Sequence, residues 1–483
     1  MKSNRIKNII AIGVFGTMIW SCKAPAVSQE IENHQAPKIP ANFENIQNSD
    51  ASLNSGLTPW KQFFTDPNLV VLIDEGLKNN QELMITLQEI EIAKNEVMYK
   101  NGKLTPTVEA KLGAGVEKVG RYTSQGAGDA STEIKPGQEM PDPLMDYMAG
   151  FSANWEVDIW KKLRNSKEAS VARFLSTVEG KNFVLSNLIA EIASSYYELL
   201  SLDTQLDYIH QNIALQKDAL RVVKIQKEAA RETELAVKKF EAELLKSESE
   251  EFDIRQNITE TENRLNALLG RYPQPIKRDN SEFTNLIPQT MNAGIPAQLL
   301  SNRPDIKQAE LGLQASALDV KVARAEFYPS LNISASLGLN AFKPSYLIKM
   351  PESILYSLAG DLAAPLINKS AIKAEFNTAN AKQIQALYEY DKTVLNAYLE
   401  VANQMSKIDN LEKSYAFKQK QSEALVQSID IANQLFKNHR ADYLDVLMTQ
   451  RDLLETKMQL IETKEKQLST VVAIYKSLGG GWK

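Results

Sequence analysis

The side chain with the most distinctive chemistry in this 483-residue chain is Cys22, its single cysteine. It follows a basic N-terminus, the apolar stretch 9–20 and the small residue Ser21. This order is typical of an export signal with a cleavage point, and the apolar stretch is too short to span a bilayer. We therefore expect residues 1–21 to be a signal peptide and the Cys22 thiol to carry the lipid of a bacterial lipoprotein, with palmitate among its acyl chains. The alternative is that Cys22 is removed with the signal.

The other reactive side chains show no arrangement that is typical of catalysis. His34, His210 and His439 lie far apart in the sequence, and their spacing does not match that of metal ligands. The segment "GAGVEKVG" at 113–120 lacks the dinucleotide-binding pattern. The sequence therefore predicts no enzyme, no cofactor and no metal site. A net charge of −5 offers no basic surplus for nucleic acid.

Alternation of apolar with polar or small residues predicts four strands, at 106–120, 147–159, 329–341 and 354–366. The intervening segments, about 120–146 and 341–353, are interpreted as solvent loops. A strand that crosses an outer membrane needs about 9–11 residues and one apolar face. Four strands are too few to close a barrel, and an open edge in lipid leaves backbone groups unpaired. If these strands span a membrane, several chains must share one barrel.

Two long stretches, 181–269 and 368–478, contain neither Gly nor Pro and are predicted to be helical. Each is expected to fold into a hairpin, with a tight turn near 229–233 in the first and near 437–442 in the second. The first limb of each hairpin, about 65 residues, would measure about 100 Å. Apolar residues recur with a period of 3.5, which predicts a coiled-coil seam. Arg451 and Glu465 interrupt this seam.

The two halves of the chain repeat the same order of elements. Sliding the sequence by 223 positions places Glu82 on Asp305, and a shorter offset of 202 places "SYYEL" at 195 over "AYLEV" at 397. We interpret this as an internal duplication in an α+β protein. The predicted domains are a lipid-anchored tether at 22–59, a first repeat at 60–290 and a second repeat at 291–483. Each repeat contains a helix, two strands and a long helical hairpin.

Two classes of function fit these elements. The first is a passive export duct, and the second is a structural or adhesive coiled-coil lipoprotein of the cell envelope with soluble hairpins. The apolar alternation of all four strands favours the duct.

Several stretches resemble the bacterial outer membrane factor family, whose namesake is TolC, and within it the lipoprotein efflux subunits similar to OprM. The stretches are "FSANWEVDIWKKLRN" (151–165), "LLSNRPDIKQAELGLQASALDVKVARAEFYPSLNISASLG" (299–338), "AYLEVANQ" (397–404), "ADYLDVLMTQRDLL" (441–454) and "YKSLGGGW" (475–482). The resemblance implies a homotrimer with a 12-stranded outer membrane β-barrel and a periplasmic α-helical coiled-coil barrel. It further implies efflux of drugs or other small toxic compounds, with a periplasmic adaptor protein and an inner membrane pump of the RND type as partners.

The resemblance also implies a gate on the helix after the second tight turn. Leu444, Asp445, Met448 and Arg451 match or neighbour the gate positions, but Met448 stands where many relatives have an aspartate. Closure is therefore either apolar, through Leu444 and Met448, or acidic, through Asp445 one turn away.

The two hairpin turns are expected to lie at the tip of the helical barrel and to contact the adaptor. The residues concerned are Arg231 and Glu232 in the first turn and His439 and Arg440 in the second. His439 stands where relatives usually have a glycine.

Overall fold

The computed structural model describes residues 31, 33–34, 38–43, 54–365, 369–438 and 440–483. The predicted signal peptide, Cys22, much of the predicted tether and His439 lie outside the described residues.

Helices make up most of the described chain. In chain order they are α1 (Trp60–Phe63), α2 (Pro67–Asn79), α3 (Gln81–Gly102), α4 (Ser124–Ser131), α5 (Lys162–Glu228), α6 (Glu234–Leu268), α7 (Gln298–Asn302), α8 (Pro304–Ala325), α9 (Pro344–Leu347), α10 (Ser370–Lys437) and α11 (Tyr443–Ser477). With 67 and 68 residues, α5 and α10 have the predicted length of the hairpin limbs. The turns before α6 and α11 fall where the sequence predicted them.

The strands form one four-stranded antiparallel sheet and one small hairpin. They are β1 (Thr107–Glu117), β2 (Glu133–Lys135), β3 (Gln138–Glu139), β4 (Leu144–Val157), β5 (Ser330–Ala341) and β6 (Ile354–Ala363). The order in the large sheet is β1-β4-β5-β6, and β2 pairs with β3. The four predicted membrane strands are thus confirmed as strands, with bounds that differ by a few residues.

The first strand-connecting segment is more ordered than a plain solvent loop. It contains α4 and the β2–β3 hairpin, and the second segment contains α9. Thr123 begins α4 by accepting a hydrogen bond from the Gly126 N–H through its side-chain oxygen, at 3.1 Å. Short turns of this kind carried little periodic signal in the sequence.

The chain forms two compact units. The first comprises Glu91–Leu175 and Leu311–Tyr388, with the described residues before 36, and the second comprises 36–90, Ser176–Glu310 and Glu389–Lys483. Each unit therefore takes residues from both predicted sequence repeats. The reason in the first unit is that β4 of one repeat pairs directly with β5 of the other.

The second unit contains the larger hydrophobic core. The Phe63 ring stacks on the Tyr475 ring with centroids 3.9 Å apart, and the Phe64 ring meets Tyr475 edge-on. Asp66 begins α2 by accepting hydrogen bonds from the N–H groups of Asn68 and Leu69 through its side chain. Part of the predicted tether belongs to this core, because Phe43 is buried and stacks on Tyr398 at 5.4 Å.

Candidate conduit and gate

The two faces of the large sheet differ completely in charge. Residues that pair across the strands share a face, so the register assigns every side chain to one side. One face carries Val108, Ala110, Leu112, Ala114, Val116, Met145, Tyr147, Ala149, Phe151, Ala153, Trp155, Val157, Leu331, Ile333, Ala335, Leu337, Leu339, Ala341, Ile354, Tyr356, Leu358, Gly360 and Leu362. This face carries no charged side chain, and we call it the apolar face.

The apolar face is strongly exposed in the single chain. Leu112 is 88% exposed, and Tyr356 and Leu358 are each 79% exposed. An exposed apolar surface of this size on strands of 10–14 residues is what a lipid-facing sheet requires.

The opposite face, the polar face, is built mostly from small, amide and charged side chains, with Leu144, Met148 and Leu355 as its large apolar members. Its middle is a band of Gly and Ser residues, in which the Ser336 and Ser357 hydroxyls lie 2.7 Å apart. Charged side chains lie towards its two ends at Glu109, Glu117, Asp146, Glu156 and Asp361, and Lys111 is a charged residue in the middle row, where it pairs with Gly150. Small residues in the middle leave room for solute, and charged ends keep the surface wetted.

Aromatic side chains mark the end of the sheet where the helices begin. The Trp155 Nε1–H donates to the Leu104 carbonyl at 3.1 Å, and the Trp160 Nε1–H donates to the Pro329 carbonyl at 2.7 Å. Trp160 also stacks on Tyr328, with ring centroids 4.8 Å apart. Amphipathic aromatic rings with a bonded polar tip are typical of the border between lipid and water.

A carboxylate fixes the junction between β4 and α5 beside these rings. The Asp158 side chain accepts hydrogen bonds from the N–H groups of Leu163 and Arg164 and from the Arg164 guanidinium. Burial raises the pKa of Asp158, but the bonds from Arg164 and Leu163 outweigh burial and leave the pKa below its usual value. The ionised carboxylate therefore holds the first turn of α5.

The predicted gate residues lie on the first turns of α11. Leu444 and Met448 are side by side, four residues apart, and are 38% and 44% exposed. Their neighbours Val446 and Leu447 are buried, and Leu447 packs against α5 and α6. The exposed pair is therefore left free to contact something outside this chain.

The two charged gate residues have different surroundings. The Asp445 carboxylate accepts a hydrogen bond from the Asp442 N–H at 3.1 Å and so takes part in starting α11. Arg451 is exposed, lies 3.4 Å from Asp452 and lines a cavity of about 340 Å³ between α5, α6 and α11. Acidic residues of α6, among them Glu243, Glu250 and Asp253, line the same cavity.

The two hairpin turns share one backbone pattern. The Arg231 N–H donates to the Gln226 carbonyl at 2.8 Å, and the Arg440 N–H donates to the Leu435 carbonyl at 2.9 Å. Each of these bonds runs from an N–H to the carbonyl five residues earlier and closes the C-terminal end of the preceding helix. In the first turn, Ala230 adopts a left-handed backbone conformation with φ 56°. Arg231 and Arg440 are exposed, and Glu232 is half-buried.

One buried ionic cluster was not singled out from the sequence. Arg303, within the stretch "LLSNRPDI", donates to Asp305 and to Glu400, the latter at 2.8 Å, and to the Ser477 carbonyl, also at 2.8 Å. It joins the start of α8 to α10 and to the end of α11. The only signal in the sequence was an Arg and an Asp two residues apart.

Within the described residues, no His, Cys, Asp and Glu side chains form a group of three or more that could hold a metal ion. In the same part of the chain, no helix combines the length and apolarity needed to cross a membrane.

A family model described as "outer membrane efflux protein" matches residues 72–271 and 295–480. The chain belongs to this family. It is an outer membrane efflux channel, and the family and its relatives are transport proteins rather than enzymes.

Relatives of known name agree with this assignment. The chain is 28% identical to the pyoverdine export outer membrane protein OpmQ of Pseudomonas aeruginosa, covering 90% of this chain and 89% of OpmQ. It is 24% identical to the cation efflux system protein CusC of Escherichia coli, covering 93% and 94%. It is 23% identical to the probable outer membrane lipoprotein SilC of Salmonella typhimurium, covering 95% of both chains.

The fold agrees with solved channels. The outer membrane channel OprN superposes with a TM-score of 0.83 over 95% of this chain and 99% of OprN, at 24% identity. The predicted TolC-like α+β fold is thereby confirmed.

Proposed function

We propose that three copies of this chain form one passive export duct, each giving four strands to a 12-stranded barrel. The supporting observation is a four-stranded sheet with an uncharged exposed face and two edge strands, β1 and β6. In lipid, the backbone N–H and C=O groups along such edge strands must be hydrogen-bonded, and the four strands of one chain cannot bond them all. Edge-to-edge pairing between copies pairs them all and places the polar face around a water-filled lumen.

The duct would work as the outer membrane part of a tripartite system, with a periplasmic adaptor and an RND-type inner membrane pump. It carries drugs or other small toxic compounds, and the pump supplies the energy. OpmQ and CusC are named for different cargoes, which fits a wide duct whose cargo is chosen elsewhere. Purifying the complex through this chain and identifying the pump that accompanies it would test the partnership.

The gate is proposed to close where three copies of the exposed pair Leu444 and Met448 meet. Both side chains are apolar and exposed, and the Asp445 carboxylate is engaged with the backbone at the start of α11. These two observations favour the apolar form of closure over the acidic one. Arg451, beside the acidic residues of α6, would hold α11 in the closed position.

The decisive experiment opens this gate. Leu444→Ser together with Met448→Ser should convert a nearly silent trimer into one with large, steady conductance in planar bilayers, because the apolar constriction becomes wet. The matched control replaces Leu235 and Leu245 of α6, each 60% exposed, by Ser and should leave the conductance unchanged. If the gate variant forms trimers that conduct no current, Leu444 and Met448 are not what closes the duct, and the proposed gate is wrong.

The two hairpin turns are proposed to contact the adaptor through Arg231, Glu232, His439 and Arg440. The exposed guanidinium groups of Arg231 and Arg440 support this, since they are held on turns of the same backbone pattern. Arg440→Glu should weaken co-purification of the adaptor and lower efflux. Unchanged assembly and efflux in that variant would count against the contact.

A further inference from the structure

The two strand-connecting segments enclose a cavity at the end of the sheet away from the helices. Its volume is about 770 Å³. Its lining combines strand ends, which include Glu117, Leu144, Met145, Asp146 and Asn340, with loop residues, which include Ile134, Lys135, Met140, Phe342, Tyr346 and Lys349. We call this cavity the mouth site. Glu117, Leu144, Asp146 and Asn340 belong to the polar face, and Met145 and Ala341 belong to the apolar face, so the mouth site lies over the end of the sheet with most of its strand residues from the polar face.

The second segment is held in one conformation by its own hydrogen bonds. The Asn340 N–H donates to the Ser353 carbonyl at 2.8 Å, and the buried Ser353 hydroxyl donates to the Lys349 carbonyl at 2.8 Å. The Tyr346 N–H donates to the Lys343 carbonyl at 2.9 Å. These bonds fix the backbone that carries Asn340, Tyr346 and Ser353, three residues that line the mouth site.

Three ammonium groups gather around the Tyr346 ring. The Nζ atoms of Lys349, Lys343 and Lys135 lie 4.9, 5.9 and 6.0 Å from its centroid. Lys135 comes from the end of β2, more than two hundred residues earlier in the chain. Within the part of the chain that the structure describes, none of the three has a carboxylate within 4.0 Å. Ammonium groups that are not paired with a carboxylate repel one another, and an anion placed beside them relieves that repulsion, against the more distant carboxylates of Glu117, Asp146 and Glu352 that line the same cavity.

The rest of the lining decides what kind of anion fits. Ile134, Met140 and Leu144 offer an apolar wall, and Phe342 meets Tyr346 edge-on at 5.4 Å. The carboxylates of Glu117, Asp146 and Glu352 also line the cavity, and Asp146 accepts a hydrogen bond from the Asn340 side chain at 2.7 Å. A ligand with an apolar or aromatic body would contact the wall, while its anionic group faces the lysines.

We propose that the mouth site binds small aromatic anions, with a phosphate, sulfonate or carboxylate beside Lys135 and Lys349, which line the cavity, and near Lys343 on the Tyr346 ring, and with the aromatic ring of the ligand against the apolar wall. The assignment concerns a binding site on each chain and goes beyond the proposed duct, because it does not require a pump, an adaptor or an open gate. In an assembled trimer, the three sites would surround the outer exit.

The test uses the full chain in detergent and 1-naphthyl phosphate as the probe, measured by isothermal titration calorimetry. One saturable site per chain is expected, with binding that weakens as salt is added. The variant carrying Lys135→Gln, Lys343→Gln and Lys349→Gln should lose at least tenfold in affinity. Its matched control, Lys118→Gln with Arg121→Gln, removes two exposed cations of the first segment outside the lining and should bind normally.

Two comparison ligands separate the parts of the probe. Neutral 1-naphthol and inorganic phosphate should each bind much more weakly than 1-naphthyl phosphate. The single variant Lys349→Gln changes one exposed side chain and should by itself weaken binding. It tests the proposal even if the triple variant fails to fold.

Equal binding of 1-naphthol, or equal binding by the triple variant, would overturn the proposal. Lysine-dependent binding of lipopolysaccharide without binding of the probe would also overturn it and assign the cluster to lipid. Conductance of the gate variant, measured on the same preparation, reports on the duct separately from the mouth site.

Discussion

Two charged residues interrupt the apolar seam of α11, and the structure treats them differently. Arg451 is exposed, whereas Glu465 is half-buried and accepts a hydrogen bond from the Ser469 hydroxyl at 2.5 Å. Burial raises the pKa of Glu465, and the nearby carboxylate of Glu198 raises it further, against the bond from Ser469. Ionisation of a carboxyl in such surroundings lowers the stability of the folded state.

The residue-scale prediction concerns Glu465→Gln. The folded chain holds the Glu465 proton to higher pH than the unfolded chain, so stability falls as pH rises from the ordinary glutamate pKa through the raised one. The variant should therefore unfold at higher guanidinium concentration than wild type at pH 8 and at the same concentration near pH 4, by circular dichroism. Glu462→Gln, at an exposed pair with Lys466, should change stability by less than about 1 kcal/mol. A less stable Glu465→Gln protein at pH 8 would contradict this account.

At the scale of elements, the pairing of β4 with β5 joins the two repeats. Gly150 and Gly338 face each other on the polar face, and a Cβ added to Gly150 would lie 2.6 Å from the Gly338 Cα. Real Cβ contacts do not come this close to backbone, so one strand would have to move. The absence of both side chains is what allows the two strands to keep their register.

The element-scale prediction compares two glycines of the same sheet. Gly150→Val should disrupt the β4–β5 ladder and strongly reduce the amount of folded protein in the outer membrane fraction. Gly360→Ala in β6, where an added Cβ meets nothing within 4 Å, should be tolerated. Heat-modifiable migration on gels and membrane fractionation measure both. Normal insertion of Gly150→Val would show that the sheet relaxes around the added side chain.

At the scale of the whole molecule, anchoring has two sources. The apolar face of the sheet is exposed for lipid contact, and Cys22, which lies outside the described residues, is the proposed lipid attachment. An acyl chain contributes about 0.8 kcal/mol per buried methylene, so the two or three chains of a lipoprotein together make a stable anchor. The barrel we propose would hold the chain in the membrane by itself, so the lipid serves mainly as an address and an aid to assembly.

The whole-molecule prediction follows from these two sources. Cys22→Ser should abolish incorporation of radiolabelled palmitate and reduce, without eliminating, the trimer recovered from outer membranes. Ser21→Thr, which keeps the thiol, serves as the control for signal processing. Complete loss of membrane-inserted trimer in Cys22→Ser would mean that the lipid is required for insertion.

The sequence by itself determined the elements: four alternating strands, two long Gly- and Pro-free helical hairpins and their turns. These depend on neighbours within a few residues, because side-chain period and backbone propensity act locally. Local patterns did not predict the contact of Phe43, because nothing in a Pro-, Asn- and Ser-rich segment indicated that its ring would stack on Tyr398. Likewise, α4 and the β2–β3 hairpin were not predicted, because these short elements show no clear periodicity in the sequence.

Only the tertiary structure decided which distant positions meet. The cluster of Arg303 with Glu400 and the Ser477 carbonyl, the opposition of Gly150 and Gly338, and the three lysines around Tyr346 all join residues far apart in the chain. Such contacts depend on strand register and on how helices pack, which no local pattern encodes. The gate positions came from resemblance to a family, and the closure we propose for them depends on contacts between copies of the chain.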